Sequence, residues 1–456
     1  MSRLNPDNTY WTHRRSGKPG TNDDRSPWDH DYARIVHSSS FRRLQAKTQI
    51  LGIGEGDFHR TRLTHTLEVN QIGTSITKKL RKDHQDPNDC EKSKWLPKLP
   101  MIQAICLAHD LGHPPFGHDG EVALNRCMLG EGGFEGNGQT LRIITKLDKH
   151  SENHGMDLTR RTVLGVMKYP APYNCVNNNQ VYPEHLPPHL ERESVFKSSE
   201  FTPPKCYLDE EHEDIVQGWL AAELDDWSRL SGLIRRPNKH HKTEYRSLDT
   251  SIMELADDIA YGVHDLEDAI ALNLMTRPSF ENWMTDCHHE DSLEPLLDRH
   301  FGGNLDTLVK KLFGATHERK HAIGQMVGFF VGAIIINTER TFAHPLFKYQ
   351  AILGCSARKA LDTLKEIVRS FVIDRPEVQQ LRFKGQKIVT ELFHAFATDP
   401  KRLLDESDYQ RSRDGGGHIP IKRVICDYIA GMTDDYAIRR YQQLFVPHSG
   451  SVFDRL

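Results

Sequence analysis

Apolar residues recur at helical spacing along most of the chain, and strand-like alternation between hairpin turns is scarce, so the pattern predicts a mainly helical, all-α fold. The clearest helix runs through Leu248, Ile252, Leu255, Ile259, Val263, Leu266 and Ile270, whose steps of three and four residues trace one apolar stripe. On the same helix Asp257, Tyr261 and Asp265 fall at i, i+4 and i+8, a polar line roughly opposite that stripe. Met101 to Ala108 predicts a short apolar helix stopped by Gly112 and Pro114-Pro115, because proline lacks a backbone donor and restricts the residue before it. His109 and Asp110 then fall near a helix end.

Ala322 to Ile336 is the one long apolar run, but it contains Gln325 and is shorter than the roughly 20 residues a membrane span needs. Within it Gly324, Gly328 and Gly332 lie at i, i+4 and i+8, which predicts a flat strip where another helix backbone packs closely, buried or at a subunit interface. Pro170 to Arg246 is rich in proline and charge and poor in apolar residues. It reads as an insertion covering the core, interrupted by a helix from Glu213 to Leu233. Gly415-Gly416-Gly417 predicts a mobile loop, and no internal repeat is evident.

At 456 residues the chain can bury a large core, with domain count open on length alone. Its 59 basic and 63 acidic residues leave a formal charge of -4, too balanced for a surface that wraps a polyanion. Phosphate recognition should therefore be local, and nucleic-acid binding has no support. The eight cysteines are scattered without a C-x-x-C pair, which fits a reducing compartment, and the polar N-terminus lacks the apolar core of a secretory signal. The expectation is a cytoplasmic protein.

Twenty-six histidines hint at site chemistry, and the densest cluster locates it: His109 to Glu121 places three histidines and three carboxylates within thirteen residues. Adjacent His109 and Asp110 can present an imidazole nitrogen and a carboxylate oxygen to one cation, with further ligands coming from elsewhere. His65, in Arg62-Leu63-Thr64-His65-Thr66-Leu67-Glu68-Val69, is one source, although a core histidine bonded to a backbone carbonyl explains it equally well. Asp257 is the other, set against an ordinary solvated helix face.

In these segments the chain resembles the HD-domain superfamily of metal-dependent phosphohydrolases, and within it the dGTP triphosphohydrolases. The likeness runs from Phe41-Arg42-Arg43-Leu44-Gln45-Ala46-Lys47-Thr48-Gln49 through Arg62-Leu63-Thr64-His65, the His109-to-Glu121 cluster and Phe134-Glu135-Gly136-Asn137. It continues through Leu255 to Tyr261 and ends at Asp427-Tyr428-Ile429-Ala430-Gly431-Met432-Thr433-Asp434. The resemblance implies one dGTPase-like unit with an HD core over residues 60–271, the insertion at about 170–246 within it, and a helical region over 272–456 that completes the pocket and an oligomer interface. It implies a divalent metal on His65, His109, Asp110 and Asp257, with Asp258 as the alternative to Asp257. Magnesium, manganese, nickel, iron and zinc all suit such a donor set, and magnesium would accompany the triphosphate.

By the same resemblance His118 is the catalytic histidine and Glu121 its orienting carboxylate, while Gln49, Arg62, His113, Tyr261 and Asp265 contact substrate. The implied reaction takes a deoxynucleoside triphosphate, dGTP by family, to deoxynucleoside and tripolyphosphate. The implied assembly is a homo-oligomer, up to a hexamer. Lys384 and Arg423 are further triphosphate contacts or, more simply, solvated surface cations. Two rival readings are an HD phosphohydrolase acting on another nucleotide and a nucleotide-responsive binding protein with weak hydrolysis.

Overall fold

The computed structural model describes residues 5–6, 8–17, 23–49, 60–86, 90–181, 196–197, 200–286, 290–412 and 419–447, so the Gly415–Gly417 loop lies outside the described residues. Helices carry the fold. Among the described residues, named strands are confined to two antiparallel pairs, Leu233–Ile234 with Lys242–Thr243 and Ile334–Thr338 with Tyr349–Leu353. No helix of the described residues is long and apolar enough to cross a membrane.

The chain divides into two compact units of interleaved segments. The first comprises Met1–Trp11, His65–Leu107 and Ser247–Gln379. Its centre is the helix Leu248–Ala271, started by Ser247, whose side chain accepts from Thr250 N. Every residue of the expected stripe, from Leu248 to Ile270, is buried. The helix packs on Cys355–Val368 and on the strand Tyr349–Leu353. Gly262 permits this approach, since a Cβ there would lie 2.7 Å from Leu361 Cδ1.

Two expectations change in detail. The apolar run splits: the helix Thr316–Gly332 ends and the strand Ile334–Thr338 begins, with Ile334 opposite Leu353 and Thr338 opposite Tyr349. Its glycine strip is not packed within the described chain, for a Cβ at Gly324, Gly328 or Gly332 would meet nothing within 4 Å. A helical period fixes which residues share a face, but not whether that face finds a neighbour in the same chain.

The second unit comprises Thr12–Thr64, Ala108–Arg246 and Gln380–Leu456. Phe134, Val389, Leu392, Phe396, Ile425 and Ile429 form its apolar core. Residues 170–246 contribute to its interior as well as its cover, with Leu208, Ile215, Val216 and Leu220 wholly buried. The expected helix from Glu213 to Leu233 is instead a π-turn segment His212–Leu220 and a short helix Trp227–Leu230. The chain breaks between them where Glu223 takes φ 68°, a left-handed conformation that interrupts a helix.

Buried charge also holds this unit together. Arg142 donates through Nε to Asp427 Oδ1 at 2.8 Å, through Nη2 to Asp427 Oδ2 at 2.9 Å and through Nη1 to Glu211 at 2.9 Å. Arg423 is not the solvated cation expected: it is fully buried, donating to Glu210 at 2.6 Å and to the Gly133 carbonyl at 2.8 Å. Burial opposes ionisation of Asp427, but Arg142, Arg411 and Arg423 hold its pKa below the usual carboxylate range. Asp427→Asn should therefore lower stability by about 3–5 kcal/mol, because it leaves Arg142 under-compensated. Since the folded pKa lies below the unfolded value of about 3.9, this stabilisation is present above about pH 4 and is lost as pH falls through the folded value. Urea unfolding of wild type and variant at pH 7 and pH 3 measures both effects: the gap between them should narrow at the lower pH.

Candidate functional site

In the second unit His109 and Asp110 follow directly on the helix Leu99–Ala108, where the chain turns back with His113 N donating to the Asp110 carbonyl at 3.2 Å. Gly112 is required at this turn. Its N–H donates to Thr140 Oγ1 at 2.9 Å, and a Cβ would lie 2.1 Å from the Gly136 carbonyl oxygen.

Asp110 is the hub of the turn. Its Oδ1 lies 3.4 Å from His109 Nε2 and 3.1 Å from His113 Nδ1, while Oδ2 accepts from Arg62 Nη1 at 2.7 Å. Burial opposes its charge, but His109, His113 and Arg62 together hold the carboxyl well below its ordinary range. His113 is pushed down to about 4, first by burial and then by the Arg62 charge, so it is neutral near pH 7. Of the expected phosphate contacts, Arg62 thus braces a carboxylate and His113 is a buried neutral imidazole.

Beyond the prolines, Phe116 and Gly117 both take positive φ, 63° and 59°, turning the chain into the helix Gly117–Cys127. A non-glycine residue in that region is strained, and the surroundings hold it there. Phe116 N donates to Asp434 Oδ1 at 2.9 Å, and Asp434 Oδ2 accepts from Thr48 N at 2.9 Å. Lys47, wholly buried, donates to the carbonyls of His113 at 2.6 Å and Ala430 at 2.9 Å. Burial, reinforced by Arg43, pulls its ammonium down to about 7.

The helix so positioned carries His118 and Glu121 one turn apart, with His118 Nδ1 2.8 Å from Glu121 Oε2. The His118 side chain is 68% exposed and that of Glu121 only 2%. Burial again opposes ionisation of Glu121, but Lys205 and His118 outweigh it and hold the carboxylate well below its usual range. Glu121 Oε1 accepts from Gly136 N at 3.0 Å and lies 3.4 Å from Lys205 Nζ, which in turn donates to Glu135 at 2.9 Å.

In the first unit His65, on the helix Arg62–Asp83, places Nε2 3.2 Å from Asp257 Oδ1. Asp258 pairs instead with Arg358 at 2.9 Å and Lys365 at 2.6 Å. The line opposite the stripe is less solvated than its period suggests. Asp265 is 1% exposed, and Tyr261 is half-buried with Lys365 Nζ 5.9 Å from its ring centroid. Gln49 is half-buried, and Lys384 is exposed in line with a solvated cation.

Both His–Asp pairs have a spacing that a metal can use. Two ligands about 2.1 Å from one cation at ordinary coordination angles lie about 3.0–3.4 Å apart, which the pairs match. An Asp110 held ionised against burial is likewise the form that a cation needs. Sequence reasoning missed Lys205, Glu135, Lys47 and Asp434. Glu135, Lys47 and Asp434 lay inside quoted motifs without a role. Lys205 sits 84 residues from Glu121 in the prolyl stretch, where nothing local marks it.

A mainly helical chain with histidine and aspartate paired at ligand spacing, and with a separate exposed histidine backed by a buried glutamate, has the donor set of the HD-domain class. Comparison with known proteins agrees. Residues 353–443 match the family described as Phosphohydrolase-associated domain. The chain is 46% identical to the deoxyguanosinetriphosphate triphosphohydrolase-like protein of Shewanella pealeana, over 97% of this chain and 98% of that one. Proteins of the same description from Shewanella halifaxensis and Shewanella sediminis are 46% and 45% identical, each over 98% of both chains. The chain belongs to the dGTP triphosphohydrolase-like family, whose HD domain implies a divalent metal.

Asp257→Asn should remove bound metal, measured by elemental analysis of purified protein. Asp258→Asn should leave metal content unchanged and lower stability by about 1 kcal/mol or less, since its partners are part-exposed. Equal metal loss in the two variants would overturn the assignment.

Proposed function

We propose that the protein hydrolyses deoxynucleoside triphosphates, dGTP first among them, to deoxynucleoside and tripolyphosphate. The observation that carries this reading is the His118–Glu121 pair. The imidazole is open to an incoming ligand at one side, and its Nδ1 is anchored at the other by a buried, ionised carboxylate. Cleaving the bond between the α phosphorus and the 5' oxygen creates an alkoxide, which leaves readily only if it is protonated. A carboxylate at Nδ1 fixes the ring and its orientation, leaving Nε2 to face the departing oxygen and deliver that proton.

The metal ligands in this reading are His65, His109, Asp110 and Asp257. A divalent cation there would polarise the α phosphate and activate water. Arg62 keeps Asp110 ionised and oriented for that task. His113, neutral and buried, can meet phosphate oxygens as an N–H donor rather than as a charge. Gln49, Tyr261 and Asp265 are assigned to the sugar, by family resemblance. Self-association belongs to the same reading, and the open glycine face of the Thr316–Gly332 helix is flat enough to serve it.

Metal-supplemented protein should convert dGTP to deoxyguanosine and tripolyphosphate in a chromatographic assay that also includes the other dNTPs and GTP. His118→Ala should lower kcat about 100-fold or more. Asp110→Ala should abolish turnover. Pyrophosphate or diphosphate products would mean that a different bond is cut, and no turnover with any metal would favour a nucleotide-responsive binding protein.

A further inference from the structure

Two wholly or almost wholly buried carboxylates, Glu121 and Glu135, meet at one cation. Lys205 Nζ lies 2.9 Å from Glu135 Oε1 and 3.4 Å from Glu121 Oε1. Neither acid can turn away. Glu121 is held by Gly136 N at 3.0 Å and by His118, while Glu135 caps the helix Gly136–Arg142 by accepting from Gly138 N at 2.9 Å and from Asn137 Nδ2 at 2.8 Å. Two fixed, desolvated carboxylates this close share a proton unless a cation stands with them.

We propose that Lys205 is the positioning residue of the His118–Glu121 pair: its ammonium lets Glu121 and Glu135 stay buried together as carboxylates, and so keeps Glu121 bonded to His118 Nδ1. The inference rests on the reading of that pair as the acid–base machinery.

The electrostatics agree with the geometry. Burial opposes charge on Lys205, but Glu121 and Glu135 hold its ammonium well above the ordinary range. Glu135 is pushed up by burial against the pull of Lys205, with the Glu121 charge pushing the same way as burial. Of the two acids, then, Glu135 is already the nearer to taking up a proton. The other titratable groups facing this cluster are His118, His113, Tyr169 and Cys206. Burial holds the last two protonated and neutral, so they add no further negative charge. His113 is neutral, and His118 is the group being positioned.

A merely structural lysine, or one that only touches phosphate, gives a different pattern from a charge-balancing one. The test compares full-length wild type with Lys205→Met, Lys205→Arg, Glu135→Gln and the double variant Lys205→Met/Glu135→Gln. Lys205→Met should lower kcat about 10- to 100-fold near neutrality with little change in KM. The deficit should widen as pH falls, because the acids gain a proton at higher pH once the ammonium is gone. Lys205→Arg should keep most of the activity. Glu135→Gln in the Lys205→Met background should restore most of the lost kcat, since one buried carboxylate no longer needs the cation.

The same rescue can be read without substrate, as the thermal midpoint from pH 8 to pH 4.5. Glu121 has a folded pKa below its unfolded value of about 4.3, so its stabilisation is present above that pH and lost below it. In Lys205→Met the folded pair should instead take up a proton above that pH, so the variant should fall furthest below wild type near pH 8 and recover part of the gap as pH falls, and Glu135→Gln should narrow the gap at pH 8. A double variant no better than Lys205→Met by either measure, or an effect confined to KM, overturns the proposal. A wild-type protein with no turnover would refute the reaction instead, leaving the thermal arm to decide on Lys205.

Discussion

A single carboxylate, that of Glu121, has to be buried, ionised and immobile at once, and much of the second unit answers to that requirement. Burial alone would protonate it. The countering groups come from three separate stretches of chain: His118 from its own helix, the Gly136 amide from the next helix, and Lys205 from a segment far along the sequence. The amide is available because the helix Gly136–Arg142 starts there, capped by Glu135, and that helix also receives the turn after Asp110 through Thr140 and the close approach at Gly112. One short helix thus braces both the acid–base pair and the turn that carries two of the proposed metal ligands.

The parts of this arrangement that were legible in the sequence are those written in local spacing. Residue types in the run from His109 to Glu121 announced chemistry, the three- and four-residue steps from Leu248 to Ile270 announced the long helix, and Gly112 with its prolines announced the turn. Family resemblance supplied the choice of Asp257 over Asp258. What the spacing did not reveal is that the two neighbours differ in partners, Asp257 facing His65 and Asp258 facing Arg358 and Lys365. What could not be read depends on where distant side chains meet. Lys205 in a prolyl, charged stretch has no periodicity to place it, and Arg423 looks like any surface cation until Glu210 and the Gly133 carbonyl are found around it. The glycine strip shows the converse limit: the three glycines do share one helix face, but nothing among the described residues packs on it.

Two of the buried charge networks in the second unit differ in how far they open to solvent. Arg142 and Asp427 have side chains only 2% and 1% exposed, with Glu211 as deeply enclosed. The buried charges there are met by partners within the protein, and Arg411, 35% exposed, pairs with Asp427 at the outer edge of the network. Buried ion pairs of this kind are costly to break and seldom more stabilising than apolar packing of the same volume.

The Glu121 cluster uses the same elements but opens to solvent at two points, His118 and, at 37% exposure, Lys205. Its charges therefore need not be balanced wholly from within. Glu121 and Glu135 with Lys205 leave one negative charge over, facing the open end where His118 stands. Under the reaction proposed above, a surplus of negative charge behind an exposed imidazole, rather than the burial of Glu121 alone, is what would suit this cluster to acid–base work.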